Sequence, residues 1–455
     1  MSTYFGAADL ETLVPLGIHR AQALRSKLVA PTVSERCEVR NMIAEFIRDR
    51  KCIVYGGIAL DLHLEAVGSP DRIYTTDSAE PDIEFYSPNA MSDIVDLCDR
   101  LREKCENVDA KLAMHDDTYT IFVDFQKYCD VTYMPRNLFL AIPFDVIHGM
   151  RCVSPSFACI DVLRALSDPL TSYFRLEKDV SRMQILARNF PFPRPGAFSD
   201  TVISVPDTKN VPGLVGRDAY LYYCHLAGVP PVVEAMEPAP VEFWTADLSQ
   251  TAHDLLQIYG PDAKYTEHHR FFDYLGRSGR IAVHGKTVAI AYATEHRAIP
   301  CISETGPASF AAVLCHLMIT KVQADVLRDR ETSHRKAAMV CHMMHMRESM
   351  PPSAFVEGPF AEFVCQFFVG TAMGPMHVKE QRQKERERKK RRIVFRYRPG
   401  ITSKDFLDVH SFDNTSGNIV NNKRDYVYKR YKGDSAEATT EHDADIDARR
   451  TGTPP

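Results

Sequence analysis

Three carboxylates that follow a glycine pair constrain this chain more than any other feature. Tyr55-Gly56-Gly57 closes a short apolar run, Asp82-Ile83-Glu84 opens a second, and Cys129-Asp130-Val131 lies within a third. Residues two apart on a strand point to the same face, so Asp82 and Glu84 share one. A third acid, Asp130 from a neighbouring strand, completes a group of hard oxygen donors of the kind that two Mg²⁺ ions need. The glycines separate a strand, Cys52 to Tyr55, from a helix-like stretch, Ile58 to Val67. There they let backbone N–H groups approach a phosphate at a helix N-terminus. The order of the parts suits nucleotidyl transfer. A lone Asp-x-Glu is usually a solvated strand face, but here Phe85 and Tyr86 follow the pair and apolar residues flank Asp130. Three buried, unpaired carboxylates are costly unless a metal compensates them. Asp124 competes for the third place, and the more apolar surroundings of Asp130 favour the latter.

With 455 residues, two domains are the natural expectation. A hydrophobic share of 45% is ample for globular cores, and no apolar run approaches the length of a membrane span. The mixed, polar N-terminal stretch predicts no secretory signal. The twelve cysteines are scattered without a CxxC pair, which predicts reduced thiols in a cytosol-like compartment. Cys341, His342 and His345 come nearest to a ligand cluster, but in a Met-rich helical stretch they read as core and helix surface. A formal net charge of −5 excludes a uniformly basic nucleic-acid binder and leaves room for a local basic stripe.

Along the chain, Thr32 to Asp49 reads as an amphipathic helix opened by a Thr32/Glu35 capping box. Asp82 to Tyr86, Tyr119 to Phe125 and Tyr128 to Tyr133 read as strands, the last two as a tight hairpin, and Asn89 to Lys104 as a helix. This order predicts an α/β (α+β) fold. Phe157 to Leu186 is helical with a break at Asp168-Pro169. Pro191 to Pro240 reads as linker and irregular packing. Phe271 to Leu275, Arg280 to His284 and Lys286 to Tyr292 read as strands, the last two joined at Gly285, and Ala308 to Met346 as mostly helical. That second α/β unit has no GG turn followed by paired acids, so no second active site is expected. Lys379 to Arg398 is a basic stripe, with Lys389, Lys390, Arg391 and Arg392 at its middle and Phe395 and Tyr397 interleaved with Arg396 and Arg398. Such a stripe suits a single-stranded backbone with bases stacked on aromatic faces, though a solvated face or an import signal has the same composition. Residues 433–455 are polar and acidic, a composition typical of disorder.

The segments VYGGIALDLHL, PDIEFYSPN, TYTIFVDFQKYCDVTYMP and SDPLTSYFRLEKD resemble the poly(A) polymerases of large and giant nucleocytoplasmic DNA viruses, within the polymerase-β-like nucleotidyltransferase superfamily. The resemblance is dense from Cys52 to Met183 and looser up to VFRYRPG. It implies template-independent addition of AMP from ATP to RNA 3′ ends. It also implies Mg²⁺ or Mn²⁺ as cofactor, a virion or host-cytoplasmic (viral factory) location, and a homodimer. The implied layout is a catalytic nucleotidyltransferase domain over 1–195, a degenerate second one over 196–376, a basic RNA-binding segment over 377–432 and an acidic tail over 433–455. Gly56 and Gly57 match the turn that holds the triphosphate; Asp82, Glu84 and Asp130 match the metal ligands. Ile58 stands where many members offer a hydroxyl, so any side-chain contact to phosphate is lost there.

Arg175, Lys178 and Arg182 fall on one helical face. The motif match gives Arg175 and Lys178 a triphosphate role and leaves Arg182 open between that role and a solvated face. Tyr173 or Phe174 could stack on adenine or pack in the core. Two other readings stay open: another superfamily transferase, of oligoadenylate or small-molecule type, and a non-catalytic RNA-binding scaffold.

Overall fold

The computed structural model describes residues 7–28, 33–74, 81–113, 117–199, 211–356, 358–361, 365–374, 377–378, 380, 384, 396–402 and 430–431. Two helices lead in, α1 (Ala7–Leu28) and α2 (Val33–Arg50). α2 buries Val39, Ile43, Phe46 and Ile47, the face its spacing predicts. The first unit then runs β1 (Ile53–Tyr55), α3 (Gly56–Ala66), β2 (Ile83–Ser87), α4 (Ala90–Arg102), β3 (Val108–Leu112), β4 (Thr118–Val123), β5 (Gln126–Tyr133), α5 (Arg136–Ala141), β6 (Phe144–Ile147), β7 (Met150–Val153), α6 (Pro155–Leu166), α7 (Pro169–Ser172) and α8 (Leu176–Asn189). Its strands join an eight-stranded mixed sheet whose eighth member arrives from far along the chain: β15-β3-β4-β5-β2-β1-β7-β6. The break expected at Asp168-Pro169 falls between α6 and α7, since proline suits a first helical turn and not an interior.

The second unit follows with β8 (Leu214–Val215), α9 (Gly216–Ala227), β9 (Val241–Thr245), α10 (Leu248–Tyr259), β10 (Ala263–His268), β11 (Ser278–Val283), β12 (Lys286–Ala293), β13 (Ile299–Cys301), α11 (Phe310–Val326), α12 (Arg330–Ser349) and β14 (Phe367–Val369). β15 (Arg396–Tyr397) then pairs with β3 in the first sheet, and β16 (Arg430–Tyr431) pairs with β10. The second sheet has the order β16-β10-β11-β12-β9-β8. α11 packs against α6, and one hydrophobic cluster runs through both units.

Two expectations are corrected. Residues 191–240 are not simply linker, because β8 and α9 lie within them. Flanking prolines mask a helix that buries Ala219, Tyr220, Leu221, Tyr223 and Cys224. Phe271 to Leu275 is no strand but a tight turn bridged by its own two ends, with Phe272 at φ +51°. The turn expected at Gly285 does join β11 to β12, with His284 and Gly285 both at positive φ.

All twelve cysteines are free thiols. His342 is buried and bonds the Tyr220 hydroxyl at 2.7 Å, and burial lowers its pKa to about 4. It is a core histidine. Among the described residues no helix is long and apolar enough to cross a membrane. The acidic stretch 433–455 lies outside the described residues.

Candidate active site

The site is built where β1 ends. Tyr55, extended at φ −134°, precedes α3, and Gly56 turns the chain at φ +72°, a conformation that side chains resist. Glu84 packs directly beneath Gly56, and a Cβ there would collide with its carboxylate. The first turn of α3 leaves backbone N–H groups without intrahelical partners, and these face the direction from which an anion approaches. Tyr55 is held rigidly: its ring stacks on Tyr86 at 4.0 Å between centroids and its hydroxyl bonds Thr132 at 2.8 Å.

Register brings the acids together. Tyr55 pairs with Glu84 across β1 and β2, and Glu84 pairs with Asp130 across the parallel strands β2 and β5. Asp82 lies two residues before Glu84 on the same face. Asp130 is buried, and its Oδ1 accepts the Thr120 hydroxyl at 2.6 Å. Lys127, on β5, contacts Asp82 at 2.5 Å and Asp130 at 2.7 Å. Burial, then the charges of Asp82 and Asp130, push the Glu84 carboxyl up to about 7. Burial pulls the Lys127 ammonium down, but hydrogen bonds to Asp130 and Asp82 outweigh it and hold the pKa well above the usual lysine range. Asp124 stands apart, exposed at the β4–β5 turn at φ +45° and bonded to Asn107.

As they stand, no three His, Cys, Asp or Glu side chains among the described residues form a closed metal-ligating group. Lys127 lies between two of the three acids. The donor chemistry nevertheless fits Mg²⁺ or Mn²⁺: three carboxylates, one of them pushed up to about 7 by burial and then by the charges of the other two.

A second layer positions the glycine turn. After α3 the chain folds back because the Asp61 carboxylate accepts bonds from Arg72 Nε at 3.0 Å and Nη2 at 2.6 Å, from Ile73 N at 2.7 Å and from Tyr74 N at 3.2 Å. This sets the Tyr74 hydroxyl beside Gly57, where the Arg182 guanidinium also lies, so a Cβ at Gly57 would strike both. Arg182, left open by the sequence, is therefore a cation at the turn. Lys178 lies close by: the Arg182 charge, then burial, lower its pKa, and Glu84 acts in the opposite direction. Arg175 instead caps α8 and is committed to buried Asp179, Nε to Oδ2 at 2.9 Å. Tyr173 and Phe174 are 73% and 71% exposed, so neither packs in the core. Tyr74, Lys127 and Thr120 were not singled out from the sequence. A lysine three residues before the third acid was the available signal for Lys127.

Arg396 and Arg398 both lie against Asp109, Arg396 in a two-pronged contact at 3.0 and 2.7 Å, and Tyr397 is buried between them. Lys389, Lys390, Arg391 and Arg392 lie outside the described residues.

The second unit repeats the local geometry with only one of the three acids. Val215 at φ −136° precedes Gly216 at φ +69°, which opens α9, and Glu242 of β9 packs beneath it as Glu84 does beneath Gly56. Two residues before Glu242, where the first unit has Asp82, stands Pro240. In register with Glu242 on the parallel strand, where the first unit has Asp130, stands Ile290. Glu242 is spent internally on Lys336, on His316 at 2.9 Å and on Tyr292 at 3.1 Å.

The fold is thus a nucleotidyltransferase fold, with one complete acid cluster and one that survives as a single carboxylate. Residues 41–172 match the family described as poly(A) polymerase catalytic subunit. A protein of Acanthamoeba polyphaga mimivirus named for that subunit is 40% identical over 194 residues, 42% of this chain and 33% of the relative. One from African swine fever virus (isolate Pig/Kenya/KEN-50/1950), with the same name, is 31% identical over 159 residues, 33% of each chain. The chain thus spans about a third of the length of these curated relatives. The solved Megavirus polyadenylate synthase has the same fold over 91% of this chain and 92% of its own, with a TM-score of 0.75 at 24% identity.

Proposed function

We propose that this chain is a template-independent polynucleotide adenylyltransferase that adds AMP from ATP to RNA 3′ ends. One observation carries the reading: Glu84 and Asp130 are paired in register, with Asp82 on the same face, directly beneath a glycine turn that opens a helix. Asp82, Glu84 and Asp130 would hold Mg²⁺ or Mn²⁺, which when bound supplies charge neutralisation for the triphosphate and for the attacking 3′-hydroxyl. The chain's own part follows from its geometry. The first turn of α3 receives the triphosphate on backbone N–H groups, and Arg182 and Lys178 add cationic contacts. Asp61, through Tyr74, keeps the turn in shape. Asp130 orients the hydroxyl and accepts its proton. In-line attack on the α-phosphorus then releases pyrophosphate.

Residues 1–195 form the catalytic unit in this reading and 196–376 a non-catalytic partner whose lost acids support that role. The basic stretch from Lys389 to Arg392 binds RNA backbone. Neutralising its four charges should weaken RNA binding and flatten its salt dependence, because fewer counterions are released. Unchanged affinity and salt slope would reject that role. The protein acts as a homodimer in the virion or the host cytoplasm. Primer extension with each of the four nucleoside triphosphates tests the adenylyltransferase reading. ATP alone should yield a long 3′ ladder, and comparable use of all four would reduce the reading to a general nucleotidyltransferase.

A further inference from the structure

The acid cluster already contains a cation of the chain's own. The Lys127 ammonium touches one oxygen of Asp82 and one of Asp130, while the other Asp130 oxygen is taken by Thr120. Without that charge, three carboxylates would crowd one face of two adjacent strands. The second unit offers an internal comparison. There the surviving acid, Glu242, also meets a lysine, but Lys336 is 8% exposed and is joined by His316 and Tyr292. That ammonium is locked in. Lys127 is 42% exposed on a long flexible stem, and among the described residues its ion pairs are to acids of the cluster. It can leave with little rearrangement.

We propose that Lys127 is a displaceable internal counter-ion: its ammonium holds Asp82 and Asp130 together in the metal-free protein and must withdraw from them when a divalent cation binds. Lys127 therefore sets the metal affinity of the site and keeps the empty cluster folded. It is a positioning residue, and the inference rests on the reading of the three acids as the metal site. A lysine retained as a permanent phosphate contact would behave differently, since its loss would weaken nucleotide binding and leave metal affinity unchanged.

Mn²⁺ binding to the full-length protein, followed by the loss of the free-ion electron paramagnetic resonance signal, gives a readout independent of turnover. Lys127→Met should bind Mn²⁺ at least about tenfold more tightly than the parent, because the two charge-assisted contacts that the metal must otherwise break are gone. In chelator the same variant should melt at a lower temperature, and Mn²⁺ should raise its melting temperature by more than it raises the parent's. Lys127→Gln, which offers an amide N–H₂ without the charge, should fall between the two and carries the test should Lys127→Met not fold. Equal or weaker Mn²⁺ binding by the variants would overturn the counter-ion role while leaving the metal site standing. Absence of Mn²⁺ binding to the parent, with no change in Asp82→Ala, would remove the metal-site reading and this inference with it.

Discussion

Glu84 is the residue on which the electrostatics of the site converge. Its carboxyl titrates near 7 in the folded chain against 4.5 for an ordinary glutamate, because burial and then Asp82 and Asp130 disfavour its charge. A folded-state pKa above the unfolded value means that the folded protein binds the proton more tightly. The stability this supplies is complete below pH 4.5 and is lost as the pH rises through 7. In chelator the protein should therefore lose on the order of 3 kcal/mol between those limits from this group alone. Glu84→Gln should flatten that part of the profile and should be the more stable protein above pH 7, as measured by chemical denaturation across pH. A profile unaltered by the substitution would show that Glu84 carries no such strain. The acids were legible in the sequence because their spacing and apolar flanks report strand position. Lys127 left only its place three residues before Asp130 as a signal, and Tyr74 left none, since it reaches the site through the Asp61-anchored loop.

At the scale of elements, the strand–glycine–helix junction does the positioning, and two glycines with nearly the same φ separate its contributions. Gly56 (φ +72°) lies against Glu84, whereas Gly68 (φ +66°), just beyond α3, has nothing within 4 Å of the place a methyl group would occupy. Gly68→Ala should cost about 1 kcal/mol, the penalty of left-handed backbone alone. Gly56→Ala should cost at least about 2 kcal/mol more, because Glu84 must also move, and should lose nucleotide binding. Equal costs in thermal unfolding would mean that Glu84 does not pack beneath the turn. The sequence located β1, β2, β4, β5 and the helices between them, whose apolar periodicity is strong. It missed β3 and the β6–β7 hairpin. β3 is five residues long with Asp109 and Lys111 on its outer face, and the hairpin hinges on His148-Gly149, both at positive φ. Arg175 shows the limit of helical spacing as a guide: the right face was read, but a buried aspartate one turn away claims the side chain.

In the molecule as a whole, two copies of one strand–glycine–helix device share a core, and they differ in what neutralises the acid. Burial would push Glu242 up, but Lys336 and His316 outweigh it and hold the carboxyl well below the usual range. Lys336→Met should destabilise the protein by about 3–5 kcal/mol by leaving a buried charge uncompensated, and adding Glu242→Leu should restore most of that. Neither change should alter Mn²⁺ affinity, and a change there would mean that the second unit also takes metal. The absence of paired acids from this unit was legible in the sequence. Its single glycine turn was not, hidden between proline-rich flanks. The central claim, that one acid cluster performs nucleotidyl transfer, is tested most directly by primer extension with ATP and Mg²⁺, comparing Asp130→Ala with Asp124→Ala. Both acids lie in the same hairpin, but only Asp130 meets Glu84. The account predicts that Asp130→Ala loses at least about a thousandfold in rate, the scale of removing one essential electrostatic contact, while still unfolding cooperatively, and that Asp124→Ala stays within a few-fold of the parent. An active Asp130→Ala beside an inactive Asp124→Ala would contradict it.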